Sequence, residues 1–552
     1  MTVEGGRINP AQPPAGEISH FRGTIYDLSP GKNVQDELAE IMARPELLNE
    51  READLAVVGF NPKKNSWRLL RDFGQSPLYY SLAGRELFWG FSYAGLLEQL
   101  AEPEADEAAM FDYLATHYRY IFRDAGRTFH KGVRQVPAGC YLDFGPGGLK
   151  LKSWLKLEHD PELYALGPEE ATERLMEILR PSVALRAKAA ARPAFTISSG
   201  LDSSTVASLA STHLGAIDVF SVGYNGFDSA EYDETEGVRE LTRGKDWRWS
   251  HLLLDTPDLI SETAALIEKS RSPVVTVTWL AYFMMARQLR GFKEMFNGLG
   301  GDESLAGEFA HFFYFFADLK KEGRDDRLKV EVEAWSRLHD HPVFKKNPEV
   351  LKTFWARNID FESGRMTADP QVYQANWRFF DPDWIRTYGL AEPPMPRPFP
   401  NFLSNRLYQE IIHETTAPTL WGLFMANQVL GLRGVSPFMS TRLFRLCLSL
   451  SGTVKYDQGL TKTLLRRGLK GVLPESLRLS PKKTGFNAPI HQWFKEGKVA
   501  GPLLEMLHDG PLARRRWLKK GAADLIFKEH ESGRANHMML LWPLLNASLF
   551  LK

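Results

Sequence analysis

Short apolar runs separated by turn residues fill the first part of the chain. LAVVGF (55–60) and ELFWGF (86–91) are two of these runs, and their β-branched and aromatic residues are typical of strands. A helix is predicted over DEAAMFDYLATHY (106–118), whereas residues 1–20 are rich in Gly and Pro and predict a loose segment. The pattern therefore predicts a β-rich first domain over residues 21–155.

The pattern changes in the second part of the chain, residues 165–552, where strand-like runs alternate with helical stretches. Strands that alternate with helices predict a parallel sheet with helices on its faces. After Gly307 the pattern is mainly helical, and FAHFFYFF (309–316) predicts a buried helix. The predicted fold class is α/β, with the β-rich domain first. The alternating elements, in chain order, are strand AFTI, helix STVASLASTHL, strand IDVFSVGY, a helix near 231–243, strand HLLL, another helix and strand EMFNGL.

Composition narrows the class of protein. The chain has 552 residues, 43% of them hydrophobic, and 68 basic residues balance 68 acidic ones, which argues against a nucleic-acid partner held by bulk charge. We find no run of about 18 apolar residues and no secretory h-region, so no membrane partner is expected. The two cysteines, Cys140 and Cys447, exclude a disulfide framework. These features together predict a cytoplasmic protein.

The first chemically distinctive stretch is FTISSGLDSSTVASLA (195–210), a strand that leads through small residues into a helix. Free backbone N–H groups and the helix dipole favour an anion at such a place, and Gly200 lets the backbone come close to it. Asp202 would repel a bare phosphate, but it fits if it holds a divalent cation bridging to phosphates. Alternatively, the Ser and Asp residues only cap the helix. The hydroxyl donors are Ser198, Ser199, Ser203 and Ser204.

A second stretch, FNGLGGDESLAG (296–307), repeats the arrangement of strand, Gly-rich turn and acidic residue. Loops at the carboxyl ends of parallel strands gather around one crevice, so we expect Asp302 to face Asp202. Two carboxylates near a triphosphate can hold Mg²⁺. Taken alone, GGDE is also compatible with an ordinary turn.

These motifs resemble a known family. SSGLDSS resembles the SGGxDSS pyrophosphate loop of N-type ATP pyrophosphatases, and NGLGGDESLAG is similar to the SGEGADExxxG segment of asparagine synthetases. LLRDFGQSPLYY (69–80) and TFHKGVRQVPAGCYL (128–142) resemble segments of that family's amidotransferase domain, which has an Ntn fold. The chain is identified as a member of the asparagine synthetase superfamily. Later matches are SPFMSTRLFRLCLSL, LTKTLLRRGLKGVLPESL and SPKKTGFNAPIHQWF.

The resemblance implies a reaction and a set of residues. ATP would activate a carboxylate as an acyl-adenylate with release of pyrophosphate, and an amine would then form the amide. Asp202 and Asp302 would hold Mg²⁺, and Val222 would lie against adenine. The other implied nucleotide-binding residues are Ile197, Ser198, Ser199, Gly200, Ser203, Ser204, Asn297 and Gly298, and the implied catalytic cations are Lys462, Arg466 and Lys483.

Three departures from the family set expectations about the substrates. Residue 2 is Thr where glutamine-using members expose a Cys, so we expect a degenerate amidotransferase domain that makes no ammonia. Leu299 stands where asparagine synthetases have Glu and β-lactam synthetases have Tyr, and Leu accepts no proton. FMANQVLGLRGV (424–435) lacks most charged residues that the resemblance associates with an aspartate site. A larger or more apolar substrate is therefore expected.

The favoured interpretation is a lasso peptide cyclase, in which an Asp or Glu side chain of a precursor peptide is adenylated and the peptide's α-amine closes a macrolactam. Its expected partners are the precursor peptide and a leader peptidase or leader-binding protein. Three alternatives stay open: an asparagine synthetase-like or other amide ligase that uses free ammonia or another amine, a β-lactam synthetase-like enzyme, and a non-catalytic nucleotide-binding scaffold.

Overall fold

A computed structural model gives the structure of most of the chain. The described residues are 4–9, 19–74, 76–122, 124–226, 234–339, 348–368, 370–392, 395–482, 488–495 and 499–551. The strands of the first part are β1 (Gly5–Ile8), β2 (Ser19–Ile25), β3 (Ala53–Asn61), β4 (Ser66–Arg71), β5 (Tyr79–Ala83), β6 (Glu86–Gly90), β7 (Val133–Gln135), β8 (Cys140–Gly145) and β9 (Gly148–Ser153). Its helices are α1 (Val34–Ala43), α2 (Tyr93–Leu97) and α3 (Glu107–Ala115).

Two antiparallel sheets make up the first part of the molecule, as the β-rich pattern predicts. In the described residues one sheet has the order β2-β3-β4-β8-β9 and the other the order β1-β6-β5-β7. Val58 and Leu69 of the first sheet share a core with Leu87 and Trp89 of the second. The two sheets therefore pack face to face.

Strand β3 is buried on both sides, which explains why its sequence does not alternate between apolar and polar residues. Ala56 and Val58 point into the core between the sheets, whereas Leu55 and Val57 pack in a separate cluster with Ile41 of α1. Successive side chains of a strand point to opposite faces, so each face of β3 meets a different apolar layer.

The prediction of a loose segment over residues 1–20 is wrong for residues 5–8. Gly5–Ile8 form strand β1, which pairs antiparallel with β6, Gly5 lying opposite Gly90. A Cβ built on Gly5 would lie 2.7 Å from the carbonyl oxygen of Trp89, so glycine permits this close approach. Gly5, one of the residues on which the prediction of a loose segment rested, thus lets the strand pair.

The second part of the molecule carries the remaining elements. Its strands are β10 (Pro193–Thr196), β11 (Ile217–Tyr224), β12 (Trp247–Leu254), β13 (Glu294–Phe296), β14 (Ile359–Asp360), β15 (Arg365–Met366) and β16 (Arg433–Val435). Its helices up to residue 412 are α4 (Pro161–Tyr164), α5 (Pro168–Ala189), α6 (Leu201–Leu214), α7 (Thr235–Thr242), α8 (Leu259–Ser270), α9 (Val277–Ala286), α10 (Gly301–Leu305), α11 (His311–Lys321), α12 (Asp325–Leu338), α13 (Pro348–Asn358), α14 (Pro370–Tyr373), α15 (Pro382–Thr387) and α16 (Phe402–Ile412). The later helices are α17 (Thr416–Leu430), α18 (Thr441–Ser449), α19 (Gly452–Lys455), α20 (Thr463–Gly468), α21 (Glu475–Arg478), α22 (Ile490–Lys495), α23 (Ala500–Asp509), α24 (Pro511–Arg515), α25 (Ala522–Glu531) and α26 (Met538–Phe550).

A parallel sheet forms the centre of this second part, as predicted. Its order within the described chain is β12-β11-β10-β13-β16, and Phe195 of β10 lies between Val219 of β11 and Phe296 of β13. The edge strand β16 lies in the region predicted as mainly helical, where its three residues gave no strand pattern. Because β10 and β13 are parallel neighbours, the loops that follow them meet at one edge of the sheet.

Helices surround the sheet and account for most of the chain after Gly307. The aromatic run 309–316 falls mostly in α11, where Phe312, Phe313 and Phe316 are buried, so the prediction of a buried helix is confirmed. No helix in the described part of the chain combines the length and the apolar character that crossing a membrane requires.

A buried ion pair joins the two parts of the molecule. The guanidinium of Arg186 on α5 donates to Glu52 Oε2 at 2.6 Å, and both side chains are almost fully buried. Glu52 also accepts a hydrogen bond from Ser440 Oγ, and Ser182 Oγ donates to the carbonyl of Pro437. This network holds the turn over residues 436–440, which packs against the loop after β13.

Candidate active site

The loop after β10 is shaped by its own serines. The backbone N–H of Ser198 donates to Ser203 Oγ at 3.1 Å, and the N–H of Gly200 donates to Ser198 Oγ at 3.1 Å. Ser204 is fully buried and donates to the carbonyl of Ser198, while the N–H of Ser199 donates to Glu234. Some of the predicted phosphate-binding hydroxyls therefore hold the loop in shape.

The loop after β13 packs directly on the first loop. A Cβ built on Gly301 would lie 2.4 Å from the carboxylate carbon of Asp202, and one built on Gly298 would lie 2.6 Å from the nitrogen of Ser203. Asn297 closes the turn, since its side-chain oxygen accepts the N–H of Leu299 at 3.0 Å. The glycines of the second motif are thus required by the close contact between the loops.

Asp202 and Asp302 lie on either side of one ammonium group. Lys462 Nζ lies 2.6 Å from Asp202 Oδ2 and 2.7 Å from Asp302 Oδ1, and its side chain is 8% exposed. Burial by itself lowers the pKa of Lys462, but the two carboxylates outweigh it and raise the pKa above its ordinary value. The prediction that the two Asp side chains share one crevice agrees with this arrangement.

This donor set fits a magnesium ion bound together with phosphates. Mg²⁺ in nucleotide sites is held by one or two carboxylates, and the remaining oxygens come from phosphates and water. Asp202 and Asp302 supply two carboxylates that already enclose one cationic group. In the described residues no group of three or more His, Cys, Asp or Glu is placed to hold a metal, so phosphates would have to complete the set.

A second cation lies beside the pair. Arg466 is buried; its Nε donates to the carbonyl of Thr461 at 2.7 Å and another guanidinium nitrogen to the carbonyl of Arg478 at 2.5 Å. Burial lowers the pKa of Arg466 to about 10, which leaves it charged at neutral pH. Lys462 precedes α20 in a left-handed conformation, with φ of 55°, a conformation that only surrounding contacts maintain.

One cavity of about 350 Å³ brings most of the predicted residues together. Ser199 and Ser204 do not line it, and Lys483 lies outside the described residues. The predicted residues on its wall are Ile197, Ser198, Gly200, Asp202, Ser203, Val222, Asn297, Gly298, Asp302, Lys462 and Arg466.

The cavity also has an apolar wall that sequence reasoning missed. Trp279, Tyr282 and Met285 of α9 line it, and so do Phe309 and Phe312. The sequence of α9 is apolar on all faces and contains no motif, so it predicts an ordinary core helix. A glycine at 422 makes room for the indole, since a Cβ there would lie 2.2 Å from the Trp279 ring.

Two further lining residues bear on the chemistry. Leu299 lines the cavity and is half-buried, so the position that carries a proton acceptor in the resembled families is apolar here. His339, which directly follows α12, also lines the cavity, and no motif marked it.

Comparisons with known proteins show which families the two parts of the chain match. The family model described as asparagine synthase matches residues 174–552, and the model described as a glutamine amidotransferase domain matches residues 45–155. The boundaries 21–155 and 165–552 stay predictions.

Individual relatives are distant. A Mycobacterium tuberculosis protein named "Putative asparagine synthetase [glutamine-hydrolyzing]" is 23% identical over 471 residues, covering 80% of this chain and 67% of its own. "Asparagine synthetase [glutamine-hydrolyzing] 1" of Bacillus subtilis is 20% identical over 487 residues, covering 86% and 73%. A solved B. subtilis glutamine phosphoribosylpyrophosphate amidotransferase covers 42% of this chain and 51% of its own at 12% identity, with a TM-score of 0.16 that supports no argument. The asparagine synthase model alone spans more than half of the sequence, and the chain therefore belongs to the asparagine synthase family of ATP-dependent ligases.

Proposed function

We propose that this protein forms an amide bond by adenylating a carboxylate that carries a bulky apolar group, with a precursor peptide as the best candidate. The observation that carries the proposal is the pair Asp202 and Asp302, which encloses a cation at one end of a cavity whose other wall is aromatic. In its most specific form the proposal is a lasso peptide cyclase that closes a macrolactam.

The polar end of the cavity suits the adenylation step. Mg²⁺, when bound with ATP, neutralises phosphate charge there, and Asp202 and Asp302 are the residues that would hold it. Lys462 and Arg466 keep fixed positive charge beside the place where pyrophosphate leaves. Backbone N–H groups at the start of α6 add donors that need no reorganisation during the reaction. Lys483 stays a predicted member of this set.

The apolar wall supports a substrate larger than a small dicarboxylate. Trp279, Tyr282, Met285, Phe309 and Phe312 carry no charge, so they offer no ion-pair partner for the α-amino and α-carboxylate groups of free aspartate. Burying such groups without partners is costly, whereas apolar side chains of a peptide would gain from burial. A macrolactam-forming cyclase satisfies this requirement, and a β-lactam synthetase-like enzyme satisfies it only in part because Leu299 lacks a proton acceptor.

The properties of the two cysteines support an amine source other than glutamine hydrolysed by this chain. Burial raises the pKa of Cys140 to about 11 and that of Cys447 to about 12, so neither thiol is activated as a nucleophile. Thr2, which stands where glutamine-using members expose a Cys, lies outside the described residues. The α-amine of a peptide substrate would make a glutaminase unnecessary. Free ammonia remains the alternative source.

The test is carboxylate-dependent exchange of labelled pyrophosphate into ATP. Two probes separate the candidates: L-aspartate with ammonium chloride, and a linear peptide with a free α-amine and an internal Asp or Glu. We expect the peptide to support exchange and to lose the mass of one water as the macrolactam closes. Activity only with the L-aspartate and ammonium chloride probe would favour an asparagine synthetase-like enzyme. Nucleotide binding without exchange on either probe would refute the proposal and favour a scaffold. A gene for a short precursor peptide beside this one would support the cyclase.

Asp202→Asn tests the metal assignment within the same assay. We expect exchange to fall at least about a hundredfold, since the variant removes a charged contact used at the reacting phosphates. Asp218→Asn is the matched control, because Asp218 lies at the start of β11 and pairs with exposed Arg248. Equal exchange by both variants would contradict the role of Asp202.

A further inference from the structure

The proposed amide-forming step needs a group that takes a proton from the attacking amine. Leu299 occupies the position where the resembled families place such a group or part of it, and its side chain has no acceptor. The replacement should be a residue on the wall of the same cavity with a lone pair available at neutral pH.

His339 meets this requirement by its hydrogen bonding. Its Nε2 lies 2.7 Å from the carbonyl oxygen of Gly459. A carbonyl oxygen only accepts, so Nε2 carries the proton and the neutral ring has its lone pair on Nδ1. Within the part of the chain that the structure describes, Nδ1 takes no hydrogen bond.

The ring of His339 is held in place by aromatic neighbours. Phe309 packs edge-on at 5.5 Å between ring centres, and Phe312 packs at 5.3 Å. Burial lowers the pKa of His339, and the nearby charge of Arg466 lowers it further, so the imidazole is neutral at physiological pH. Only 7% of the residue is exposed, and it borders the cavity.

The turn that orients His339 is also the turn that leads to the metal-site lysine. The N–H of Gly459 donates to Glu331 Oε2 at 2.8 Å, and the N–H of Gln458 donates to Glu331 Oε1 at 3.1 Å. Lys462 follows three residues after Gly459 and contacts both carboxylates of the candidate metal site. The segment that orients the imidazole therefore also carries Lys462, at the polar end of the cavity.

Other acidic or basic groups on the wall are less suited to the task. Asp202 and Asp302 pair with Lys462 and belong to the candidate metal site. Glu234 accepts the backbone N–H of Ser199 at 2.9 Å. Burial raises the pKa of the Tyr282 phenol, so it keeps its proton at neutral pH.

We propose that His339 is the general base of amide formation, a role that rests on the proposed function. The amine nitrogen forms a bond to the acyl carbon, and the bond from that carbon to the phosphate oxygen breaks, so AMP leaves with the electron pair. Nδ1 of His339 takes one proton from the amine nitrogen and later passes it to solvent. The carbonyl of Gly459 stabilises the imidazolium that forms in between.

His339→Gln tests the proposal by separating the two half-reactions. The amide of Gln can still donate to Gly459 but is not basic. We expect pyrophosphate exchange, which needs no amine, within about threefold of the wild type, and amide formation lowered by about 10²–10⁴-fold. His413→Gln is the control, because His413 is a half-buried histidine on a different cavity. The assay uses whichever of the two probes, L-aspartate with ammonium chloride or the linear peptide, supports exchange.

Hydroxylamine supplies a second readout that does not depend on the folding of one variant. It is a strong nucleophile that is largely unprotonated at neutral pH, so His339→Gln and His339→Ala should trap the acyl-adenylate as hydroxamate at nearly the wild-type rate. Equal loss of exchange and amide formation in both variants, or unchanged amide formation, would overturn the role of His339. Absence of exchange in the wild type with both probes would instead refute the proposed function and the inference with it.

Discussion

Replacement of Lys462 by Met should destabilise the nucleotide-free protein and make it respond to magnesium. The ammonium lies 2.6 Å and 2.7 Å from two carboxylates that are themselves only 16% and 27% exposed. Removing one partner of a buried ion pair costs about 3–5 kcal/mol, because charge is left uncompensated. Partial exposure of the two Asp side chains reduces this cost, and we expect the free energy of unfolding to fall by about 2–4 kcal/mol.

Magnesium should restore much of that loss in the variant. A cation that binds only the folded state at a hundred times its Kd stabilises by about 2.7 kcal/mol. In the wild type the ammonium of Lys462 already occupies the space between the carboxylates, so Mg²⁺ without nucleotide should shift the unfolding midpoint little. The two proteins should therefore differ in their response to the metal as well as in stability.

The assay is thermal unfolding without nucleotide, with and without millimolar MgCl₂. Lys470→Met is the matched control, since Lys470 is exposed and lies eight residues further along the chain. Equal midpoints for the three proteins, or the same Mg²⁺ response in the wild type and Lys462→Met, would refute the idea that this lysine takes the place of a metal ion.

Two further predictions concern packing and buried charge. Gly301→Ala should weaken ATP binding at least about tenfold in a nucleotide titration, since its Cβ would meet the Asp202 carboxylate at 2.4 Å; Gly501→Ala, with open space around it, is the control, and equal affinities would contradict the prediction. Lys455→Met should stabilise the fold, because burial lowers the pKa of Lys455 from 10.5 to about 8. Charging it in the fold costs up to about 3 kcal/mol below pH 8, and this cost disappears as pH rises to 10.5. Loss of the hydrogen bond to the carbonyl of Leu450 offsets about 1 kcal/mol of this stabilisation. Denaturant unfolding should therefore show a free energy of unfolding about 1–2 kcal/mol higher than that of the wild type at pH 7, and the difference should vanish near pH 10. A difference that does not depend on pH would count against the argument.

The sequence alone determined the two loops and their meeting place. Each loop is contiguous, and its glycines, hydroxyls and Asp residue lie within 16 residues or fewer. Strands that alternate with helices specify a parallel sheet, and such a sheet brings the loops after neighbouring strands together. Local pattern and one topological rule were therefore enough to place Asp202 near Asp302.

Tertiary structure decided which side chains complete the site. Lys462 reaches Asp202 across 260 residues of sequence, in a left-handed conformation that no local preference favours. The orientation of His339 depends on the carbonyl of Gly459, 120 residues away. Local propensity extends over only a few residues, whereas these contacts depend on how distant helices pack.

The same limit explains what the sequence pattern did not show. Ser199 donates its backbone N–H to Glu234, and Ser204 donates its hydroxyl to the carbonyl of Ser198. The motif by itself does not show either contact, and a role of these two residues in phosphate binding stays a prediction. The apolar neighbours of Trp279 in the sequence predict a core residue, although packing places it on the cavity wall. A sequence fixes which residues are able to do chemistry, and packing over long separations decides which of them face the ligand.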